Sequence, residues 1–298
     1  MKKVYIIGIE GAGTSALALI YKKKGFEVSG SDDGDGFYVG ELESAGIEVF
    51  DNFDESHLSD DIDLVVHTTA VKKDNIELKK AIELNLNIKT YPEAVGELAK
   101  EYKTIAICGT HGKTTTTALT TYGLIGAGLS PSALVGSKIT DWGSGAYVGS
   151  GDYFVLEADE YQNKLRFYNP FAVVLTSVDF DHPDFFEDFE SYKKVFGDFV
   201  ARIPENGFLV ANGDDQDARE VALSAKCQVF FYGEKGLNNC KIIERVTNEN
   251  GQKITVEFRG EKYKIQTQLF GAHNAKNAVG AWLVGYLLCH SELVSESI

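Results

Sequence analysis

Thr104-Ile105-Ala106-Ile107-Cys108-Gly109-Thr110-His111-Gly112-Lys113-Thr114-Thr115-Thr116-Thr117-Ala118 is the stretch on which the reading of this chain turns. Ile105 to Cys108 is a short uncharged apolar run, the pattern of a strand buried on both faces of a parallel sheet. From Thr114 to Ala127 small residues predict a helix. Glycines at 109 and 112 let the intervening backbone turn its N–H groups toward a phosphate, and the helix adds its positive N-terminal end. Lys113 then reaches the β- and γ-phosphates, and the Thr114 hydroxyl sits on Mg²⁺. The motif is shorter than G-x-x-x-x-G-K-[ST], because position 107 is Ile. Strand, glycine turn, Lys-Thr and helix nevertheless follow in the order that a nucleoside triphosphate site requires; an ordinary glycine-rich turn is the plain alternative.

Upstream, Val4 to Ile9 predicts a first strand, then Gly8-Ile9-Glu10-Gly11-Ala12-Gly13 and a helix to about Lys24. This G-x-x-G-x-G permutes the dinucleotide fingerprint and serves the same end, a tight turn followed by close approach of a diphosphate to a helix N-terminus. Asp32 closes a second strand, Phe26 to Ser31, where an acid can reach a ribose hydroxyl; equally, it can cap the turn within Ser31-Asp32-Asp33-Gly34-Asp35-Gly36. A strand at Leu64 to His67, a helix at Ile76 to Leu84, a short strand at Ile88 and a helix at Pro92 to Lys100 continue the alternation. His67-Thr68-Thr69-Ala70 lies just past a strand end, the edge where open α/β sheets bind ligands, with His67 read as a hydrogen-bonded structural residue. The linker Glu101-Tyr102-Lys103 divides the chain into a Rossmann-like α/β domain, 1–102, and a P-loop-type mononucleotide-binding α/β domain, 103–290, with a tail at 291–298.

At 298 residues, two domains of ordinary size are expected. A formal net charge of −15 argues against nucleic-acid and anionic-membrane partners, so polyphosphates require local reversal of the field by glycine loops, helix ends, Lys and Mg²⁺. Cys108, Cys227, Cys240 and Cys289 have no paired spacing, which predicts reduced thiols in a cytoplasmic setting and no zinc site. Met1-Lys2-Lys3 leads straight into a strand, unlike a signal peptide, and no apolar run approaches the ~18 residues of a membrane span.

Downstream, the apolar strand Tyr153 to Leu156 ends in Glu157-Ala158-Asp159-Glu160. Glu157 directly ends the run and is the predicted metal-organising acid, with Asp159 on the same face by strand alternation as the reserve; a solvated acidic loop is the bland reading. Phe171 to Val178 predicts the next strand, ending in Asp179-Phe180-Asp181-His182-Pro183-Asp184, where His182 among carboxylates can hold a second divalent ion or touch the reacting phosphate. A helix at Ser191 to Ile203, a strand at Phe208 to Asn212, a helix at Asp215 to Lys226 and a strand at Gln228 to Tyr232 follow. Cys240 to Val246 and Lys253 to Gln268 alternate around Asn248-Glu249-Asn250-Gly251, predicting a hairpin or small antiparallel sheet. Gly271-Ala272-His273-Asn274-Ala275-Lys276-Asn277 opens a last helix to about Leu288. Asn274 and Asn277 share a helical face there and can present amides to an adenine or phosphate, although an Asn at such a place is mainly an N-cap.

Four motifs together, Gly109-Thr110-His111-Gly112-Lys113-Thr114-Thr115, Glu157-Ala158-Asp159-Glu160-Tyr161, Asp181-His182-Pro183-Asp184 and Gly271 to Asn277, resemble the ATP-dependent Mur ligases of bacterial cell-wall synthesis. The form with His111 resembles the branch that loads UDP-N-acetylmuramate. The resemblance spans nearly the whole chain. It implies a cytoplasmic peptidoglycan-synthesis ligase that joins L-alanine to UDP-N-acetylmuramate through an acyl phosphate, using ATP and Mg²⁺, with roles in cell shape and division. Murein tripeptide recycling is the close alternative, since Tyr161 and the D-H-P-D-F-F run fit it too. It implies that Gly8, Gly11, Gly13, Ser31, Asp32 and Thr69 serve the UDP substrate. Lys113 would bind the triphosphate with Gly109, Thr110, Gly112 and Thr115, Thr114 and Glu157 the first Mg²⁺, and His182 the second. Asn274 and Asn277 would contact ATP, and His111 would lie near the muramoyl carboxylate. Lys193 and Lys194 stand near the place of a carbamylated lysine in other branches and receive no role. The family's third domain is expected to be missing from a chain that ends at Ile298, which leaves a nucleotide- or UDP-sugar-binding remnant without turnover as a further reading. An NAD-dependent oxidoreductase built on the first domain is the rival class, and it leaves the second phosphate loop without a purpose.

Overall fold

Lys-Val-Tyr-Ile-Ile at the N-terminus forms β1 (Lys3–Ile7), buried from Val4 onward because helices cover both faces of its sheet. The computed structural model describes residues 1–34 and 36–290; Asp35 of the expected cap turn and the expected tail, 291–298, lie outside them. Two compact units result, Met1–Leu98 with Ser132–Gly149, and Ala99–Pro131 with the chain from Ser150 onward.

In the first unit β1 is followed by α1 (Ala12–Lys23), β2 (Glu27–Ser31), α2 (Val39–Ser44), β3 (Glu48–Phe50), β4 (Leu64–His67), α3 (Ile76–Glu83), β5 (Ile88–Thr90) and α4 (Tyr91–Ala99). The five strands are parallel in the order β3-β2-β1-β4-β5. The chain direction across the sheet reverses between β1 and β4, and such a switch point opens a crevice at the carboxyl ends of the strands. Tyr5, Ile7, Val65, Leu78 and Ala81 close the core beneath it. After β6 (Lys103–Cys108) and α5 (Lys113–Gly126) of the second unit, the chain re-enters the first as the antiparallel pair β7 (Ser132–Ile139) and β8 (Ser144–Tyr147), against which α1 packs. A boundary near residue 102 does not anticipate this return.

The second unit continues with β9 (Tyr153–Glu157), β10 (Ala172–Leu175), α6 (Phe189–Val200), β11 (Phe208–Asn212), α7 (Gln216–Ala222), β12 (Gln228–Gly233), β13 (Cys240–Asn248), β14 (Gly251–Phe258), β15 (Glu261–Thr267) and α8 (Ala272–Cys289). Its parallel part runs β12-β11-β10-β6-β9, with β6 inside, and β13-β14-β15 extend it as an antiparallel meander. The alternating run expected from Lys253 to Gln268 is two strands. Arg259 (φ 55°) and Gly260 (φ 80°) both take left-handed backbone, which makes a tight two-residue hairpin turn there. Thr-rich α5 has modest intrinsic helix propensity, so packing against the apolar α8 carries it. Thr117 and Thr121 turn their hydroxyls back onto the carbonyls of Lys113 and Thr117, at 2.8 Å each. Asp188 and Ser191 close a capping box that starts α6 two residues earlier than expected.

Candidate functional site

At the end of β6, Gly109 (φ 126°) and Gly112 (φ 81°) carry the chain through backbone that side chains disfavour. The turn is pinned from the loop after β10. Ser177 O accepts from Thr110 N–H (2.9 Å), Ser177 Oγ accepts from His111 N–H (3.1 Å), and Thr176 Oγ1 donates to His111 O (2.6 Å). The Thr110 hydroxyl is held between Asp179, whose carbonyl and N–H each lie at 2.8 Å, and Tyr192 Oη at 2.8 Å. Thr110 therefore pins the turn, with both its N–H and its hydroxyl bonded within the protein. In contrast, the first bond inside α5 runs from Thr116 N–H to Gly112 O (2.9 Å), so the N–H groups of Lys113, Thr114 and Thr115 leave the helix end without an intrahelical acceptor. These amides form an anion cradle.

Lys113 and Thr114 flank this cradle with acids behind them. Thr114 Oγ1 donates to Glu157 Oε1 at 2.8 Å, which gives two hard oxygen ligands of the kind that Mg²⁺ takes beside substrate phosphates. Lys113 Nζ donates to Gly109 O (2.7 Å), Thr110 O (3.2 Å) and Glu160 Oε2 (3.0 Å). Glu160 is fully buried, accepts from Tyr192 Oη (3.1 Å) and lies 3.7 Å from His182 Nε2. Ligand atoms of Asp159, Glu160 and His182 all fall within 4.8 Å of one another. Asp159, the reserve acid, is paired with Lys164 at 2.6 Å. Burial pushes the Tyr192 phenol far above its ordinary range, so it stays a donor to Glu160, and burial likewise raises the Cys108 thiol beneath the turn.

The turn is closed on another side by α8. Its N-cap is Gly271 and not an asparagine. Asn277 Nδ2 donates to Asn274 Oδ1 (3.2 Å) and Asn274 Nδ2 to Phe270 O (2.9 Å). A side chain at Gly112 would meet Asn277 Oδ1 at 2.7 Å, so the turn and the α8 amide pair are in direct apposition. A cavity of about 380 Å³ lies there, lined by His111, Gly112, Asn212, His273, Lys276 and Asn277 among others. Sequence reasoning missed Glu160 and Tyr192. Strand alternation loses its meaning once β9 ends at Glu157, and only the doubled acid of E-A-D-E was there to find Glu160 by.

In the first unit a crevice of about 640 Å³ opens at the strand ends and is lined by Gly8, Gly11, Asp32, Phe53, Thr68 and Asn75 among others. Asp32 Oδ2 also accepts from Glu10 N–H (2.8 Å) of the glycine loop, and Asp32 Oδ1 accepts from Asp33 N–H (2.9 Å) of its own turn. Three of the expected residues stand apart from the cavity lining. Ser31 is buried, with its hydroxyl on Glu77 in the core. Gly13 makes room for the Tyr91 ring, and Thr69 is outside the cavity lining.

A switch-point crevice in one unit and a lysine-bearing glycine turn backed by acids in the other define an α/β protein of the phosphate-loop class. The chain belongs to the Mur ligase family: residues 107–285 match the Mur ligase middle domain, and residues 3–103 match the family's catalytic-domain model. The UDP-N-acetylmuramate–L-alanine ligase of Caldicellulosiruptor saccharolyticus is 39% identical over 292 residues, 97% of this chain and 64% of that protein. The crystal structure of UDP-N-acetylmuramate:L-alanyl-γ-D-glutamyl-meso-diaminopimelate ligase from Neisseria meningitides is similar with a TM-score of 0.86 at 28% identity, over 99% of this chain and 98% of that one. UDP-N-acetylmuramate-alanine ligase from Thermotoga maritima matches with a TM-score of 0.84 at 25% identity, over 99% of this chain and 68% of that one. The chain thus spans about two thirds of the length of the curated relative. No helix among the described residues is long and apolar enough to cross a membrane.

Proposed function

We propose that this chain carries the nucleotide-handling machinery of a peptidoglycan-precursor ligase that joins L-alanine to UDP-N-acetylmuramate at the expense of ATP. The observation that carries it is the Thr114–Glu157 contact of 2.8 Å beside the amides at the head of α5. A carboxylate is a poor acyl donor, so the muramoyl carboxylate first attacks the γ-phosphate and expels ADP, and the amine then attacks the acyl phosphate, loses a proton and expels inorganic phosphate to leave the amide. Phosphoryl transfer asks mainly for alignment and neutralisation of charge. The free N–H groups of residues 113–115 and the Lys113 ammonium orient the triphosphate. Thr114 and Glu157, with His182 beside Glu160, would hold Mg²⁺, which neutralises charge developing on the phosphates. His111 is exposed at the edge of the turn, and its imidazole is assigned to the acceptor carboxylate. The crevice at Gly8, Gly11 and Asp32 takes the UDP moiety. Relatives at 35–39% identity bear the L-alanine ligase name, which favours alanine over a tripeptide as the amine.

The test is release of ADP by the purified chain given UDP-N-acetylmuramate and L-alanine, with ATP binding measured by calorimetry. The expected result is ADP release that depends on both substrates, and Lys113→Ala lowering ATP affinity and turnover by at least about 10²-fold. ATP binding without turnover would favour the binding-remnant reading. Unchanged ATP affinity and activity in Lys113→Ala would overturn the assignment.

A further inference from the structure

An ammonium has three N–H donors, and Lys113 uses all of them inside the protein, on Gly109 O, Thr110 O and Glu160. To meet a phosphate oxygen it must release one. The two carbonyls belong to its own turn and stay beside it in any loop position, whereas Glu160 stands on a different segment, past the end of β9. We propose that Glu160 is the resting partner of Lys113, and that a triphosphate takes the lysine from it. This rests on reading residues 109–115 as the triphosphate site.

Charge balance then couples two binding events. Glu160 is fully buried, and the tyrosine hydroxyl on it is neutral. Stripping a buried carboxylate of its one close lysine among the described residues is strongly unfavourable unless another positive charge arrives. The side chains that can share such a charge with Glu160 are already in place, His182 Nε2 at 3.7 Å and Asp159, with ligand atoms mutually within 4.8 Å. A divalent cation there replaces the lysine, so the triphosphate and the cation each strengthen the binding of the other by the same factor. Glu160 is in this sense a positioning residue. It keeps Lys113 folded onto the turn until both ligands are present, and it disfavours a metal-free polyphosphate by both competition and repulsion.

Calorimetry of ATP binding to the full chain, in EDTA and in Mg²⁺, tests this. Wild-type protein is expected to gain more than tenfold in ATP affinity from Mg²⁺. Glu160→Gln, which keeps the shape and removes the charge, is expected to bind metal-free ATP at least tenfold tighter than wild type and to gain at least tenfold less from Mg²⁺ than wild type gains, the remaining gain being that of Thr114 and Glu157. Tyr192→Phe, which removes a hydrogen bond and leaves the ion pair, should keep both affinities within about twofold. Should Glu160→Gln not fold, Glu160→Asp retracts the carboxylate by one methylene, and tightening of metal-free ATP by several-fold is the expected result. Metal-free ATP binding by the Glu160 variants that is equal to or weaker than wild type overturns the inference alone. A wild-type chain that binds no ATP in either condition removes the triphosphate reading itself.

Discussion

Among the described residues each unit buries one glutamate completely, and the two are held in different ways. Glu77, in the first turn of α3, accepts from Tyr5 Oη (2.8 Å), the Ser31 hydroxyl and Asp54 N–H (3.2 Å), and lies 2.9 Å from His57 Nδ1. His57 is itself fixed by stacking on Phe50 with ring centroids 3.9 Å apart. Every group on Glu77 is anchored by strand, helix or ring packing, so this carboxylate ties β1, β2, the segment after β3 and α3 together. Glu160 has Tyr192, the His182 ring at 3.7 Å and one ammonium on a flexible four-carbon stem. The difference separates a fixed polar clamp from a pair made to be exchanged, although both acids look the same in a burial profile.

The largest expected effect lies on the clamp. Glu77→Ala leaves two hydroxyls, a backbone N–H and a histidine without their acceptor, and should lower stability by about 3–5 kcal/mol in urea unfolding. Its partners Ser31 and Asp54 adjoin Asp32 and Phe53 of the crevice wall, so affinity for UDP should fall with it. Glu160→Gln should be much milder in the same urea experiment, because Lys113 retains two carbonyl acceptors. Equal losses for both variants would erase the distinction.

The glycines of the lysine-bearing turn offer a second, smaller contrast. Gly109 has φ 126°, and an added methyl group would sit 2.7 Å from Ser177 O, which is backbone and cannot yield. Gly112 has φ 81°, and its methyl group would meet the Asn277 amide, a side chain able to rotate. Gly109→Ala is therefore expected to cost about 2–3 kcal/mol and Gly112→Ala about 1 kcal/mol in thermal unfolding. Nucleotide binding should suffer in both, since Gly112 opens the helix whose amides form the cradle. The reverse order of stability would mean that the turn is not pinned by the loop after β10.

What could be read beforehand follows the same division between local and distant causes. Ile105 to Cys108 was legible because a strand covered on both faces reads as an unbroken apolar run, and Lys113-Thr114 because a helix start after a glycine turn is a local event. Glu157 was legible as the residue that ends such a run. Glu160 was not: it lies three residues past the strand, just before Gln162 and Asn163 adopt left-handed backbone, and its burial depends on Tyr192 from a helix 32 residues on. Ser31 sits at a strand end in a sheet covered on both faces, and only the position of α3 decides that its hydroxyl meets Glu77 and not the crevice. The β7–β8 pair packs on α1, more than a hundred residues earlier, and nothing within 132–147 announces that partner.

Asp214 gives a small effect and the sharpest check on what makes an acid–lysine pair exchangeable. It too pairs with a lysine, Lys276 of α8 at 2.8 Å, yet it also accepts from the N–H groups of Glu234 (2.9 Å) and Lys235 (2.9 Å) and from Asn238 Nδ2 (3.0 Å). Burial opposes its ionisation, but the Glu234 N–H, the Lys276 ammonium, the Lys235 N–H and the Asn238 amide outweigh it and hold the carboxyl down at about 2, from 3.8. The folded value lies below the unfolded one, so the stabilisation is fully present above pH ~4 and is lost as pH falls through ~2. With screening at this partly accessible site, the contribution should be about 1–2 kcal/mol. Thermal midpoints of wild type and Asp214→Asn should accordingly differ at pH 5 and converge as the pH is lowered to about 2. Because backbone donors fix this carboxylate, Asp214→Asn should also leave the Mg²⁺ dependence of ATP binding unchanged, unlike Glu160→Gln. A loss of that dependence in both variants would show that any acid–lysine pair near the turn carries the coupling, and that the mobility of Lys113 is not what distinguishes Glu160.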